Sequence, residues 1–287
     1  MKIAILSGKG GTGKTLLAVN LAAAAKVAGY VDCDVEEPNG HLFFKPDHLK
    51  EEAVTVKIPQ VDDKLCDGCR LCVDFCRYNA LAYSHKLIIF DDICHSCGGC
   101  VLLCPQKALT EQDQAIGKIK IGKSEDVDVI SGIMNSGEAS GVPIIDRLQE
   151  HIASMDKEGR DVFIDCPPGS SCIVMDSIKN ADYCILVAEP CLFGVHNLEM
   201  VHELVELFNK DYGVILNKCQ ENENLAEEYC QARKVNILGR IPFDPELGLI
   251  NSNGKIAVRE SAKYHDLFSG LLSAVLKEAK VETTSNP

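Results

Sequence analysis

The segment KIAILSGKGGTGKT, residues 2–15, leaves this chain few folds to choose from. An apolar, strand-like run feeds a glycine-rich loop, and an Ala/Leu-rich stretch of helical character follows directly. Gly8, Gly13, Lys14 and Thr15 meet the G-x-x-x-x-G-K-[ST] spacing, with Lys9, Gly10, Gly11 and Thr12 between them. The backbone N–H groups of such a loop, together with the N-terminus of the next helix, form a nest for phosphate oxygens. Lys14 is expected to reach the β- and γ-phosphates of a nucleotide, and the Thr15 hydroxyl to ligate Mg²⁺. A chance glycine turn would lack the strand before it and the helix after it.

The rest of the chain supports a strand–helix alternation. GVPIIDRLQEHIASM (141–155), LFGVHNLEMVHELVELF (192–208) and KYHDLFSGLLSAVLKEAK (263–280) carry apolar residues at helical spacing. Apolar strands lie between them, so an α/β fold with a doubly wound, mostly parallel sheet is expected. The polar end VETTSNP (281–287) reads as disordered. The spacing between Thr15 and Asp32 is tight for a helix plus a buried strand. Either the helix ends near Ala25 and VAGYV is the strand, or Gly29 caps the helix and the strand is a stub.

The formal charge of −13 argues against nucleic acid or an anionic membrane as the main partner. No apolar run approaches the roughly 20 residues needed to span a bilayer. The first residues enter a strand directly, so no signal peptide is expected and a cytoplasmic location is. In that compartment the fifteen cysteines are poor disulfide candidates and better metal ligands. Most of the scattered ones sit in apolar runs such as DYCILVAEP, as small buried hydrophobes do.

Eight cysteines are clustered as C-x₂-C-x₂-C-x₃-C, twice. Cys66, Cys69, Cys72 and Cys76 recur 28 positions on as Cys94, Cys97, Cys100 and Cys104, and NAL (79–81) recurs as KAL. Paired C-x₂-C units also bind zinc, but zinc does not call for a third cysteine two residues further on. The repeat resembles a bacterial two-cluster ferredoxin, in which the fourth cysteine of each run ligates the other cluster. That resemblance implies one [4Fe–4S] cluster on Cys66, Cys69, Cys72 and Cys104. A second would take Cys76, Cys94, Cys97 and Cys100. Pro105 follows Cys104 as in the ferredoxin pattern, whereas Arg77 replaces the proline after Cys76, which would alter packing or hydrogen bonding around the second cluster. His95 reads as a solvated neighbour rather than a ligand.

The second lysine in GKGGTGKT resembles the deviant phosphate loop of the MinD/ParA/Mrp group, which includes the nitrogenase iron protein. The resemblance implies that Lys9 crosses a dimer interface to the partner's ATP, making it a catalytic candidate, and that the chain forms a homodimer with ATP bound. DCDVEEPNG resembles the group's first switch, with Asp34 orienting the attacking water and Asp32 near Mg²⁺. DVFIDCPPG resembles the second switch, with Asp165 holding Mg²⁺ through water and Gly169 sensing the γ-phosphate. Asn217, at the end of GVILNK, takes the adenine-reading position, and IPFDPEL, with Pro242 and Asp244, resembles the base-covering loop. Taken singly, each aspartate could instead be a turn or helix cap. Residues 58–112 then form an inserted ferredoxin domain, and 1–57 with 113–287 a discontinuous ATPase domain, as in MinD-superfamily ATPases with such an insert.

Three functions compete. The first is an ATPase that assembles or delivers an iron–sulfur or other metal cofactor to an acceptor apoprotein. Cys172, just past the second switch, is a candidate thiol site for it. The second is an ATP-gated, low-potential electron donor to a redox partner, although DCPPG lacks the nitrogenase protein's cysteine. The third is a redox-sensing positioning protein of the MinD/ParA type. The C-terminal stretch SAVLKEAKVETTSNP balances its two lysines with two glutamates, unlike a basic membrane-binding helix.

Overall fold

The computed structural model describes residues 1–25, 27–220 and 225–285. The strands, in chain order, are β1 (Lys2–Leu6), β2 (Ala28–Asp32), β3 (Asp47–Val61), β4 (Leu81–Tyr83), β5 (Leu87–Ile89) and β6 (Leu109–Ser124). They continue as β7 (Val127–Met134), β8 (Asp161–Asp165), β9 (Tyr183–Ala188), β10 (Tyr212–Cys219) and β11 (Ile237–Pro242). The helices begin with α1 (Lys14–Ala24), α2 (Gly40–Phe44), α3 (Leu71–Phe75), α4 (Gly99–Leu103) and α5 (Val142–Lys157). They end with α6 (Cys172–Ile178), α7 (Leu192–Leu207), α8 (Leu225–Arg233), α9 (Pro245–Ser252), α10 (Ala257–Glu260) and α11 (Ala262–Ser285).

Among the described residues, nine strands form one sheet in the order β11-β10-β9-β1-β8-β2-β7-β6-β3. From β11 to β7 every neighbouring pair is parallel. β6 and β3 add antiparallel strands at the far edge. The sheet is covered on both faces, as its period-2 alternation requires. Ile3 and Ile5 of β1 pack with α1, α10 and α11, while Ala4 and Leu6 pack on the other face with α5, α6 and α7. The sheet is therefore doubly wound and mostly parallel, as the sequence suggested.

β1 lies between β8 and β9, so the chain leaves it in one direction and later crosses it in the other. Ligands in open parallel sheets bind at the carboxyl ends of the strands where the winding reverses. Here that point is the glycine loop after β1. The tight spacing before Asp32 resolves in favour of the early helix end: α1 stops at Ala24, Ala25 is extended, and a fully buried five-residue β2 follows. The last helix runs to Ser285, so VETTS continues the packed turns before it instead of departing as an unstructured tail. Adding turns to an existing helix needs no new nucleus. Asn286 and Pro287 lie outside the described residues.

The clustered cysteines sit at the far end of a ribbon. β3 and β6 pair along almost their whole length, from Asp47↔Lys123 to Val61↔Leu109, so the segment between Val61 and Leu109 leaves and rejoins the sheet at one place. The 28-residue repeat is written into the backbone as well as the sequence. Helices α3 and α4 stand at matching positions, each followed by an extended cysteine, Cys76 or Cys104. Left-handed residues recur at the same offset: Gly68 and Ser96, Arg70 and Gly98, Asn79 and Lys107. The small core beneath them holds Leu81, Leu87, Cys100 and Leu109.

The ribbon's junction with the body is tight at Gly117, where a Cβ would lie 2.3 Å from the Ile133 carbonyl oxygen and 2.6 Å from Ile144. Gly117→Val is expected to lower the urea midpoint, with a destabilisation of about 1–3 kcal/mol for the forced overpacking. An unchanged unfolding curve would show that the ribbon adjusts freely at that point.

Candidate functional site

The loop after β1 is shaped by its glycines. Gly11 and Gly13 have φ of 77° and 101°, a region that side chains with a Cβ avoid. A Cβ on Gly13 would also lie 2.1 Å from Asn217 Nδ2. Two hydroxyls fold the loop on itself, Ser7 Oγ donating to the Lys9 carbonyl at 2.7 Å and Thr12 Oγ1 to the same oxygen at 2.9 Å. α1 then starts at Lys14 with Gly13 as its cap and no side-chain acceptor. Its first N–H groups are left for an anion.

Two buried aspartates stand beneath the loop. Asp32 and Asp165 are direct neighbours across the β2–β8 pairing. Asp32 accepts from the backbone N–H groups of Asp34 at 3.1 Å, Asn39 at 3.0 Å and Gly40 at 2.8 Å, which fastens the 33–40 loop to the strand end. Burial, and then the neighbouring Asp165, push the Asp32 carboxyl well above the ordinary range. Burial also raises Asp165, against the pull of Lys14, Thr15 and Tyr30. Tyr30 donates its hydroxyl to Asp165 Oδ2 at 2.9 Å, while the buried Oδ1 has no hydrogen-bond partner among the described residues. A buried carboxylate oxygen without a partner is costly unless a cation or water completes it. This donor set, with the Thr15 hydroxyl nearby, fits a hard divalent cation such as Mg²⁺. Asp34 is half-buried at the edge of the same site, and burial pushes its carboxyl up to about 6 despite Lys14.

Other expected residues are engaged in different ways. Gly169 is left-handed, with φ 90°, and donates its N–H to the Ser7 carbonyl at 2.9 Å, which joins the loop after β8 to the phosphate loop. Asn217 is buried and donates Nδ2 to the Thr12 carbonyl at 2.7 Å, bracing the phosphate loop. Asp244 caps α9, accepting from the N–H of Glu246 at 2.9 Å. Hydrogen bonds from Lys263 first, and then Tyr264, hold its carboxyl at about 2. Pro242 ends β11 opposite Cys219. The cleft beside the loop is lined by Lys14, Thr15, Leu16, Phe43, Asn251 and Ser252.

Sequence reasoning missed Tyr30, Glu189 and Lys218. Glu189 is anchored just past β9, with Lys218 Nζ at 2.6 Å and Lys9 Nζ at 3.2 Å. Lys218 also donates to the Gly11 carbonyl at 2.8 Å. The available signal was polarity at a strand end: VAEP and LNK each place a charge where an apolar strand meets the loop side of the sheet.

The eight clustered cysteines fall into two groups. Cys66, Cys69, Cys72 and Cys104 line one cavity, with the side chains of Tyr83 and Leu87 around it. Cys76, Cys94, Cys97 and Cys100 line a second, between Phe75 and Tyr78. Each group therefore takes three cysteines from one run and the fourth from the other. Burial raises the thiols of Cys72, Cys94 and Cys100, the last to about 11, and neighbouring cysteines of each group add to it. Among the described residues, no three His, Cys, Asp or Glu side chains close on a point where one metal ion would sit. His95 stacks on Tyr78 with ring centroids 3.8 Å apart. Cys172 is exposed at the start of α6 and shares a groove with Cys94, His95, Tyr78 and Glu138.

A phosphate loop at the switch point of a doubly wound parallel sheet, above two buried aspartates, defines a P-loop nucleotide-binding protein. Comparison with known proteins agrees: the profile of the CobQ/CobB/MinD/ParA nucleotide binding domain matches residues 3–258, and the chain belongs to that family. Uncharacterized protein MJ0579 of Methanocaldococcus jannaschii is 30% identical over 273 residues, covering 93% of each chain. The septum site-determining protein MinD complexed with Mg-ADP, from Pyrococcus horikoshii OT3, shares the fold at a TM-score of 0.58. Its identity is 21%, with 96% of this chain and 95% of that one covered. A stretch of 47 residues is 55% identical to the iron-sulfur cluster carrier protein of Pyrococcus furiosus, covering 15% of this chain and 16% of that protein. No helix among the described residues is long and apolar enough to cross a membrane.

Asn217→Ala is expected to weaken MgADP binding by about tenfold, since a buried carbonyl left without its donor costs about 1–3 kcal/mol. Titration calorimetry checks this, and unchanged affinity would show that the loop holds its shape through Ser7 and Thr12 alone.

Proposed function

We propose that this chain is an ATP-hydrolysing iron–sulfur protein that assists assembly or delivery of an iron–sulfur or other metal cofactor, acting as an ATP-dependent homodimer. The observation that carries the reading is the crossed grouping of the cysteines, three from one run with the fourth from the other, around two separate cavities. A zinc site would draw its sulfurs to about 3.8 Å apart, given a Zn–S bond of about 2.3 Å in a tetrahedron. A cubane cluster spaces its ligands further apart, so the absence of a single-ion site among the described residues is compatible with clusters. Cys66, Cys69, Cys72 and Cys104 would hold one [4Fe–4S] group, and Cys76, Cys94, Cys97 and Cys100 the other. The Ala108 N–H donates to Cys104 Sγ at 3.3 Å, the kind of bond that stabilises a ligating thiolate. Such clusters supply one-electron chemistry at low potential, and residues 58–112 then constitute an inserted ferredoxin domain. The partial likeness to an iron-sulfur cluster carrier points the same way.

At the nucleotide site, Lys14 would bind the phosphates and Thr15 with Asp165 would hold Mg²⁺. Asp34, ionised above about pH 6, would orient the attacking water. Gly169 would exchange its bond to Ser7 for one to the γ-phosphate, and Pro242 with the adjoining loop would cover the base. Lys9 would reach across to the ATP of a second copy. Support for that dimer lies on the same corner of the molecule, where Lys9 is 40% exposed and Leu192 and Phe193 are 68% and 72% exposed. The cargo would pass by way of Cys172. A second reading, an ATP-gated electron donor, is favoured by the groove that joins Cys94 to Cys172, directly after the second-switch loop. On either reading the acceptor is a separate protein.

The experiment is metal and sulfide analysis of anaerobically prepared protein and two Cys→Ser variants. About eight irons and eight sulfides per chain are expected, four for each cluster. Cys104→Ser should alter the same spectroscopic signal as Cys66→Ser, and Cys76→Ser the same signal as Cys94→Ser. Pairing of Cys104 with Cys94 instead, or zinc in place of iron, would contradict the proposal.

A further inference from the structure

Three lysines surround the phosphate loop, and the motif accounts for only two of them. Lys14 is the phosphate ligand and Lys9 the second lysine of the motif. Lys218 comes from the end of β10, where the pairing with β11 shifts register between Leu216 and Cys219. Lys218 itself is left-handed at φ 59°, an uncommon conformation for a residue with a long side chain. The bulge re-aims the side chain onto the loop. Its ammonium bonds both the Gly11 carbonyl and Glu189.

Glu189 is the meeting point. One carboxylate oxygen accepts from Lys218 at 2.6 Å and the other lies 3.2 Å from Lys9. The carboxylate is mostly buried, with 16% of the side chain exposed, so this pairing is less screened than a surface one. Burial works to raise the Glu189 carboxyl, but the two lysines more than offset it and hold it below the usual range. The surrounding backbone does not give. A Cβ on Gly194 would lie 2.0 Å from the Glu189 carbonyl oxygen, and one on Gly8 would lie 2.2 Å from that of Asn197. The first turns of α7 are thus wedged against both Glu189 and the phosphate loop.

We propose that Glu189 is a positioning residue that holds Lys9 back on its own chain until nucleotide is bound. It does not touch the reacting atoms. To reach a second copy Lys9 must swing outward from its own loop, which would draw its ammonium away from the Glu189 carboxylate now 3.2 Å from it. Lys218 stays behind, bound to Gly11, and keeps Glu189 paired once Lys9 has left, so no buried carboxylate is stranded. The latch therefore sets how much ATP is needed to close the dimer. It rests on the ATP-dependent homodimer proposed above.

The test compares wild type and Glu189→Gln by analytical ultracentrifugation with Mg²⁺ and a non-hydrolysable ATP analogue. MgADP affinity is measured alongside to report on the phosphate loop. The latch predicts a dimer in the variant about tenfold tighter, which is about 1.4 kcal/mol shared between the two latches of the dimer. It also predicts faster reductive methylation of Lys9 in the nucleotide-free variant, read by mass spectrometry, with MgADP affinity unchanged. If wild type dimerises and the variant does so no better, or Lys9 labels at the same rate in both, the latch is overturned while the dimer reading stands. If neither protein dimerises, both fail. If Glu189→Gln lowers MgADP affinity and weakens the dimer together, Glu189 merely braces the loop, and the proposal is wrong.

Discussion

The structure depends on where β1 sits. Lying between β8 and β9, it delivers the glycine loop to the one place in the sheet where the winding changes direction. Several of the groups around the loop arrive from neighbouring strand ends. Asp32 comes from β2 and Asp165 from β8, brought side by side by their register. Glu189 follows β9, and Asn217 with Lys218 ends β10. Burying two carboxylates beside each other is unfavourable, and the fold tolerates it through backbone N–H donors to Asp32 and through Tyr30 and Lys14 at Asp165. One buried Asp165 oxygen is left without a hydrogen-bond partner among the described residues, and a divalent cation would fit there.

The same sheet carries the cysteines. β7 is the last parallel strand, and the antiparallel pair β6 and β3 turns that edge into a ribbon long enough to leave the body. Along this ribbon the chain departs from the sheet and returns to it at adjacent points. Helix α2 and the 33–40 loop connect the aspartate at the end of β2 to the start of β3, and β7 carries the chain back to β2's other flank. The nucleotide site and the cysteine segment are therefore joined through a few short, well-packed elements, and the groove reaching Cys172 brings them together a second time.

Much of this was legible in the residues. The phosphate loop, the doubly wound sheet and the long helices followed from glycine spacing and apolar period, because those patterns reflect steric and burial rules acting locally. The three-plus-one exchange between the cysteine runs came from a resemblance; in the structure each of the two cavities is lined by three cysteines of one run and one of the other. What the sequence left open was governed by competition for partners. Asp244, in IPFDPEL, also caps α9, where Pro245 occupies the first turn and the free N–H groups need an acceptor. Asn217 stands at the expected strand end and also donates to the Thr12 carbonyl. Lys218 and Glu189 had no motif at all. Their roles come from a register shift in β10 and a close approach of α7, which are tertiary events. The tail was misjudged because its polarity outweighed its connection to a helix already formed.

In the function proposed above, one chain would join a nucleotide site to two iron–sulfur clusters whose ligands are exchanged between the cysteine runs. On the proposed reading, exchange of the fourth ligand would tie the two clusters into one small unit, in which their spins would interact when both are reduced. Low-temperature EPR of the anaerobically reduced wild-type protein tests this directly. The expected result is a spectrum broadened and split by two interacting paramagnets, simplifying to that of a single cluster at half reduction. A diamagnetic, iron-free protein, or one isolated signal unaffected by full reduction, would contradict it.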